Sequence, residues 1–287
     1  MNQHLLTNYQ GWVTGENRNY QGAMCIGEYY NVSSIKALPA VYPHMMAIDI
    51  PWYYRNGARH FHYMHTPTRL WGTWTLNQYL MARLLWDVDA DAYDEVQAYF
   101  GRYYADVSEE ARAFYAHLER ATSNIKAYKH YVLGYSLRNN LNRRTTPLFT
   151  LDQLHYSRHE CYLDNGPDVV EMLTEMDKAR TALDATIAAA SNSQVKARLA
   201  EDERRFAYGE AMYDFYNRMV LITQYHNAGE TEKARGEWPE VKRLADVLEN
   251  ITDVANVAGS HGGSPNGLEA SQITKAYQFM KKTYGGE

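Results

Sequence analysis

The segment AVYPHMMAIDIPWYYRNGARHFHYMH (residues 40–65) decides the fold of the first part of the chain. Its first half places apolar residues at helical spacing, and Asn56-Gly57 is typical of a helix end. The run ARHFHYMH (58–65) then indicates a strand, and the short apolar run AMCIGEYY (23–30) indicates another strand before the helix. The order strand, helix, glycine turn and strand predicts a βαβ unit with parallel strands.

The rest of the chain, from Thr75 onward, has the apolar periodicity of helices. In the first of them, over 75–86, one broad apolar face is predicted from Leu76, Tyr79, Leu80, Leu84 and Trp86. Asp91 and Ser108 are the predicted N-caps of the next two helices. Helices are predicted over these further ranges: 91–104, 109–129, from 167 onward, 193–225, 231–249 and 267–283.

The longest predicted helix, over 193–225, carries a regular apolar seam. Four of its residues recur every seven positions, which is typical of a helix that packs lengthwise on its neighbours: Leu199, Phe206, Tyr213 and Val220. The predicted fold is therefore mainly α with a small α/β part. Residues 1–75 form the α/β part, and residues 76–287 form an α-helical bundle.

Composition excludes several classes of protein. The net charge is −5, from 29 Lys plus Arg against 34 Asp plus Glu, and this balance argues against a nucleic-acid or anionic-membrane partner. No apolar run reaches the roughly eighteen residues that a transmembrane helix needs. The two cysteines, Cys25 and Cys161, exclude a disulfide framework and are expected to be buried or unreactive thiols. No cofactor is expected.

Glu28 is the candidate catalytic residue. Met24, Cys25 and Ile26 predict a fully buried strand, and Glu28 follows where that strand emerges. A carboxylate at the C-terminal end of a parallel strand suits a general acid or base, a nucleophile or an acceptor for substrate hydroxyls. Tyr29 and Tyr30 follow it and are expected to bind substrate. The alternative is a glutamate at an ordinary junction between strand and loop.

Histidines lie in the next predicted strand, and tryptophans follow it. His60 and His62 alternate with apolar residues and therefore share one face, and His65 follows. The three are compatible with a zinc site, but no supporting carboxylate is evident, so no metal is assigned. A polar, substrate-facing strand end is favoured over plain packing, with Trp71 and Trp74 as further substrate-binding residues. The 25 tyrosines fit this view, since Tyr and Trp combine a flat apolar face with a polar group.

Two other patterns are typical of metal sites but lack required residues. DVDADAYDE (87–95) begins like an EF-hand loop, but Ala92 and Ala98 stand where that loop needs Gly and Glu. HYSRHE (155–160) has two histidines one helical turn apart, but Tyr156 stands where zinc peptidases carry the general base. Neither is assigned a metal.

A second catalytic carboxylate is not evident in the sequence. Glycoside hydrolysis usually needs two carboxylates, roughly 5 to 9.5 Å apart. Asp49 lies within the predicted helix of residues 44–56 and is expected to be solvated. Serine-nucleophile and phosphate-loop motifs are absent from the chain. The missing partner of Glu28 leaves an assignment as an enzyme uncertain.

The sequence resembles the bacterial glycoside-hydrolase-like domain of unknown function 4838. The resemblance rests on IGEYY (26–30), on NGARHFHYMH (56–65) after a helix, and above all on YLMARLLWDVDADAYDEVQAYFGRYY (79–104). It covers about residues 20 to 225. Members look like hydrolases with a TIM-type barrel followed by a helical region, often after an N-terminal domain like that of α-glucuronidases.

The resemblance implies a carbohydrate-active protein acting on a polysaccharide or oligosaccharide. Residues 1–75 would be the last βα units of the barrel. The implied partners are carbohydrate and the missing N-terminal portion of the barrel. An acid/base residue on an earlier strand would then be absent, so no hydrolase activity is expected from this chain alone. The first residues of the given sequence lack the charged and apolar regions that are typical of a signal peptide. A cytoplasmic location is expected if the chain is complete, and a secreted or periplasmic one if it belongs to a longer exported protein.

Two other functions stay open. One is a noncatalytic helical scaffold or interaction module whose aromatic residues form the core. The other is a metal-dependent hydrolase that uses His60, His62 and His65 as ligands.

Overall fold

The computed structural model describes residues 3–15, 18–28, 39–63, 72–123, 169–256 and 270–285. Its strands are β1 (Met24–Glu28) and β2 (Ala58–Tyr63). Its helices are α1 (Gln3–Val13), α2 (Pro43–Arg55), α3 (Gly72–Trp86), α4 (Ala92–Tyr103), α5 (Ser108–Thr122), α6 (Val169–Ala189), α7 (Ser193–Asn227), α8 (Thr231–Asn256) and α9 (Ala270–Tyr284). A 3-10 turn, Ala105–Val107, joins α4 to α5. The described chain is thus mainly helical with a small parallel sheet, which confirms the coarse fold class.

The predicted βαβ unit is present, with β1 and β2 parallel and α2 between them along the chain. Cys25 pairs with His60 and Gly27 pairs with His62, and all four residues are exposed. We call this side of the sheet the open face.

The other side of the sheet packs against α2 and the core. It carries Ile26 paired with Phe61, and Glu28 paired with Tyr63. The prediction of a fully buried strand is wrong, because Ile26 is buried, Met24 is partly buried and Cys25 is exposed. In the part of the chain that the structure describes, α2 covers one face, and the pleat turns every second side chain to the other.

A buried amide fixes the βαβ unit to the bundle. The side chain of Asn77, in α3, is fully buried; its Nδ2 donates to the Ala40 carbonyl at 3.0 Å and its Oδ1 accepts from the Tyr42 amide at 2.9 Å. Pro43 then begins α2, where its missing N–H costs nothing. Gly57, at φ +98°, turns the chain into β2 as predicted.

One continuous apolar core joins α2 to the helices that follow. Leu76, Leu80 and Leu84 on α3 are buried as predicted, but Trp86, at the last turn of α3, is 87% exposed, so that prediction is wrong. The seam of α7 is confirmed for Leu199, Phe206 and Tyr213, which are fully buried; the side chain of Val220 lies outside the described residues. The predicted boundary near residue 75 falls within α3, and the division into two domains stays a prediction.

The ends of the helices test the predicted caps. Asp91 caps α4 as predicted, because its carboxylate accepts from the amides of Tyr93 and Asp94 at 2.8 and 3.1 Å. Ser108 is not an N-cap: its backbone is helical (φ −61°, ψ −36°) and it lies inside the first turn of α5. The 3-10 turn leads directly into that helix, which leaves no extended residue to cap it.

Some predicted elements shift or lie outside the described residues. α1 was not predicted, since the Gly- and Pro-rich texture of 1–75 pointed to strands and turns. The end of the predicted helix beyond residue 123, the helix start near 167 and the loop at 258–267 lie outside the described residues. Among the helices that are described, none combines the length and apolarity that a membrane span requires.

Neighbouring leucines on α3 allow a matched test of the core. Leu84 is fully buried, whereas Leu85 is 42% exposed. We expect Leu84→Ala to lower the free energy of unfolding by about 2–5 kcal/mol, because it leaves a cavity. Leu85→Ala should change it by less than about 1 kcal/mol. Urea unfolding followed by circular dichroism measures both, and equal losses would contradict the described packing.

Candidate functional site

Five half-buried side chains meet where the helix-facing side of the sheet contacts α1 and α2. Glu28 ends β1, and Tyr63, its partner in the register, ends β2. α2 contributes Asp49 and Tyr53, which lie one helical turn apart on the same side of the helix. α1 contributes Tyr9. We call these five residues the acid–tyrosine cluster.

Hydrogen bonds and ring contacts connect the acid–tyrosine cluster. The Tyr53 hydroxyl donates to the Glu28 carboxylate. The Tyr9 ring lies 5.9 Å from the Tyr53 ring, and its hydroxyl donates to the Asn56 carbonyl at 3.4 Å. Tyr63 is hydrogen-bonded to Gln78 of α3, so the bundle also contributes to the wall of the cluster. These contacts place a carboxylate among aromatic rings whose hydroxyls point at polar partners.

The two carboxylates of the cluster are electrostatically coupled. Burial, and then the negative charge of Glu28, raise the pKa of Asp49 from 3.8 to about 6. Burial and the same charge also raise the pKa of Tyr53 and Tyr63, so both stay protonated donors near neutral pH. At mildly acidic pH, Asp49 therefore retains a proton that it can donate, beside a second carboxylate that accepts a hydrogen bond.

Arg59 is a basic group whose charge reaches the cluster, through Tyr9. Its guanidinium is already engaged, because Nη1 donates to the carbonyls of Tyr54 and Ala58 at 2.7 and 2.6 Å. The same guanidinium lies 4.4 Å from the centre of the Tyr54 ring. Arg59 therefore acts on the cluster through the hydroxyl of Tyr9.

The prediction that Asp49 is solvated is wrong. Asp49 is half-buried because β1 brings Glu28 against the side of α2 that carries it. A signal was present in the sequence: Asp49 lies between Met46 and Tyr53 on the apolar side of that helix. A second carboxylate therefore lies near Glu28 in the cluster.

The histidines do not join Glu28. His60 and His62 lie on the open face together, as the alternation predicted, but Glu28 lies on the opposite face of the sheet. Cys25, beside His60, is a free and exposed thiol, so of the two expected properties, burial or lack of reactivity, burial does not hold for it. Within the described ranges, no group of three or more potential metal ligands converges on one point.

Several predicted site residues cannot be placed relative to the cluster. Tyr29, Tyr30, His65 and Trp71 lie outside the described residues, as do Cys161 and the histidines of 155–160. The backbone of Trp74 belongs to α3, but its side chain is not among those described. Their roles in binding substrate stay predictions.

Exposure of the open face predicts the reactivity of Cys25. In a Cys161→Ser variant, we expect a maleimide to label Cys25 in the native protein about as fast as in the urea-unfolded protein, since the thiol is accessible. Mass spectrometry at timed intervals measures the rate. Strong protection in native buffer would mean that something covers this face.

The raised pKa of Asp49 predicts a dependence of stability on pH. Since the folded protein holds this proton up to about pH 6 and the unfolded chain up to about pH 3.8, wild-type stability falls as pH rises through that window. Asp49→Asn has no such loss. Its free energy of unfolding relative to wild type should therefore rise between pH 4 and 7, by about 1–2 kcal/mol after a discount for solvent screening.

Urea unfolding at four pH values measures this difference. Asp177→Asn is the matched control, because Asp177 is an exposed aspartate within α6. The difference between Asp49→Asn and wild type should grow with pH more than the difference between this control and wild type. A difference for Asp49→Asn that depends on pH no more than that of the control would contradict the coupled pair.

The sequence matches no family model, and comparisons with curated proteins and with solved structures found no match. The function is therefore inferred from the acid–tyrosine cluster and from the open face of the sheet.

Proposed function

We propose that this chain is the C-terminal part of a carbohydrate-active, glycoside-hydrolase-like protein. In this proposal, the βαβ unit is the last part of a TIM-type barrel. The acid–tyrosine cluster, which includes the last residue of each strand, belongs to the sugar site at the rim of that barrel. The observation that carries the proposal is the half-buried, coupled pair of Glu28 and Asp49 among tyrosines. Paired carboxylates held in different protonation states are what acid/base hydrolysis of a glycoside uses.

The form of the sheet supports a larger parallel assembly. β1 and β2 pair only with each other in the described ranges, so the outer edge of each strand has backbone groups that no other described strand pairs. Parallel sheets are normally covered on both faces, whereas here one face is open. Further parallel strands would close the edges, and a barrel would turn the open face inward, because its helices lie outside.

Each residue of the cluster has a chemical task in the proposed reaction. Asp49 retains its proton to about pH 6 and would donate it to the glycosidic oxygen as general acid. Glu28 would act as base or nucleophile, with its carboxylate oriented by the Tyr53 hydroxyl. The faces of the tyrosine rings suit the apolar C–H faces of a sugar ring.

The proposal also expects no turnover by this chain alone. A two-stranded sheet and its crossover helix supply one wall of a sugar site, and a productive geometry needs the opposite wall to hold the substrate. His60 and His62 would line the inside of the complete barrel rather than the cluster itself. Weak binding without hydrolysis is the expected behaviour.

The test is binding of a panel of neutral and charged oligosaccharides, measured by saturation-transfer NMR. We expect weak binding of at least one class, and Glu28→Gln and Asp49→Asn should each weaken it by about fivefold or more, because a hydrogen bond to a charged group is lost. Asp177→Asn and Glu232→Gln, both at exposed positions on distant helices, are the matched controls. Reducing-sugar release should stay at background.

Several results would contradict the proposal. Absence of binding across the whole panel would remove its support, as would equal binding by the cluster variants and their controls. Turnover by the isolated chain would show that the sugar site is complete within it. Each outcome is distinguishable, because binding and product release are measured on the same samples.

A noncatalytic scaffold is the second candidate, favoured by where many tyrosines lie. Tyr104, Tyr208 and Tyr213 are fully buried in the helical core, where they serve packing rather than contact with a ligand. In that case, residues of the acid–tyrosine cluster would affect stability alone. The binding experiment separates the two, since a scaffold gives no saturation transfer to any oligosaccharide.

A further inference from the structure

A buried carboxylate lies far from the cluster, in the helical bundle. Asp202 of α7 is 1% exposed, and its Oδ2 accepts a hydrogen bond of 2.5 Å from the Tyr104 hydroxyl. The Tyr104 and Tyr115 hydroxyls lie 2.8 Å apart, and both tyrosines are buried. Three oxygen atoms thus form a closed network between α7, the middle of α5 and the end of α4. The proposed sugar chemistry does not use it.

The backbone beside this network is strained. Ala105, the first residue of the 3-10 turn, has φ +43°, a conformation that costs a residue other than glycine on the order of 1 kcal/mol. It lies between Tyr104 and Asp106, and the carboxylate of Asp106 accepts from the Ser191 amide at 2.9 Å. We call residues 103–106 the elbow.

The elbow is held from both sides. Arg198 of α7 donates to the Tyr103 carbonyl at 2.5 Å, and its guanidinium lies 4.2 Å from the centre of that ring. Asp106 binds the turn between α6 and α7, and Tyr104 binds Asp202. The strained conformation of Ala105 is therefore held by the contact of Tyr104 with α7 and by the contact of Asp106 with the turn between α6 and α7.

The charged and titratable groups around Asp202 set the cost of its negative charge. Those that face it are Tyr99, Tyr103, Tyr104 and Tyr115 from α4, the elbow and α5, with Glu201 and Arg205 from α7. Arg205 lies 3.1 Å from the carboxylate of Glu201, so its charge is shared between two acids. Burial dominates this balance and raises the pKa of Asp202 to about 7, against the hydrogen bonds from Tyr104 and Tyr115.

We propose that Asp202 is a proton-operated latch that closes the strained elbow against α7 when protonated and loosens it when ionised. A protonated Asp202 is a neutral member of a neutral network. Loss of the proton leaves a fully buried charge, and the nearby Arg205 is also paired with Glu201. Opening the elbow admits water to that charge and at the same time releases the strain at Ala105.

The pH window follows from linkage. The closed state holds the proton to about pH 7, and an opened, solvated Asp202 would lose it near its ordinary value of 3.8. Protection of the elbow therefore falls as pH rises. Between pH 6 and 8.5, the ratio of closed to open molecules falls about tenfold, and the protection of the elbow amides falls with it.

Hydrogen exchange measured by mass spectrometry tests the latch. After correction for the intrinsic effect of pH on exchange, wild-type peptides from α4, α5 and the start of α7 should lose about tenfold in protection between pH 6 and 8.5. Asp202→Asn, which keeps the shape but cannot ionise, should lose none. Asp177→Asn should behave like wild type.

Two further measurements keep the latch falsifiable if Asp202→Asn folds poorly. Tyr104→Phe removes a donor that favours the ionised carboxylate, so the loss of protection should begin at a higher pH. Peptides from α9 should show no such loss, because the effect is local. An equal loss throughout the chain, or the same pH profile in wild type and Asp202→Asn, would overturn the proposal.

Discussion

The pleat of a two-stranded parallel sheet is the constraint on which the candidate site depends. Successive side chains of β1 and β2 must point to opposite faces, and one crossover helix covers a single face. That helix faces Glu28 and Tyr63 and brings Asp49 and Tyr53 to them, while Cys25, His60 and His62 remain exposed. The orientation of α2 depends in turn on the buried amide of Asn77, which joins the βαβ unit to the bundle.

Ionising the carboxylates of the acid–tyrosine cluster has a free-energy cost that residues with a purely structural role usually do not have. Burial raises the pKa of Asp49, and the negative charge of Glu28 raises it further. Burial also raises the pKa of Asp202 in the bundle, but there the carboxylate is 1% exposed and accepts hydrogen bonds from tyrosine hydroxyls. Glu28 and Asp49 are only half-buried, and Glu28 lies at the end of β1.

Sequence reasoning succeeded where information is local and failed where it is not. The helix end at Gly57, the cap at Asp91 and the buried face of α3 follow from neighbouring residues. The exposure of Cys25 and the burial of Asp49 depend on which elements pack together. The periodicity of residues within a single element does not indicate which other elements it contacts. Asp202 gave no signal, because it lies in the charged run AEDERR (200–205), a composition that usually indicates a solvated surface.

The central claim is the coupling between Glu28 and Asp49, and the most direct measurement is an NMR titration of the Asp49 side-chain carboxyl carbon. In wild type, we predict that Asp49 titrates with a pKa of about 6. In Glu28→Gln, the pKa should fall but stay above the ordinary value, because burial remains when the neighbouring charge is removed. A wild-type pKa near 4 that is unchanged in Glu28→Gln would contradict the account.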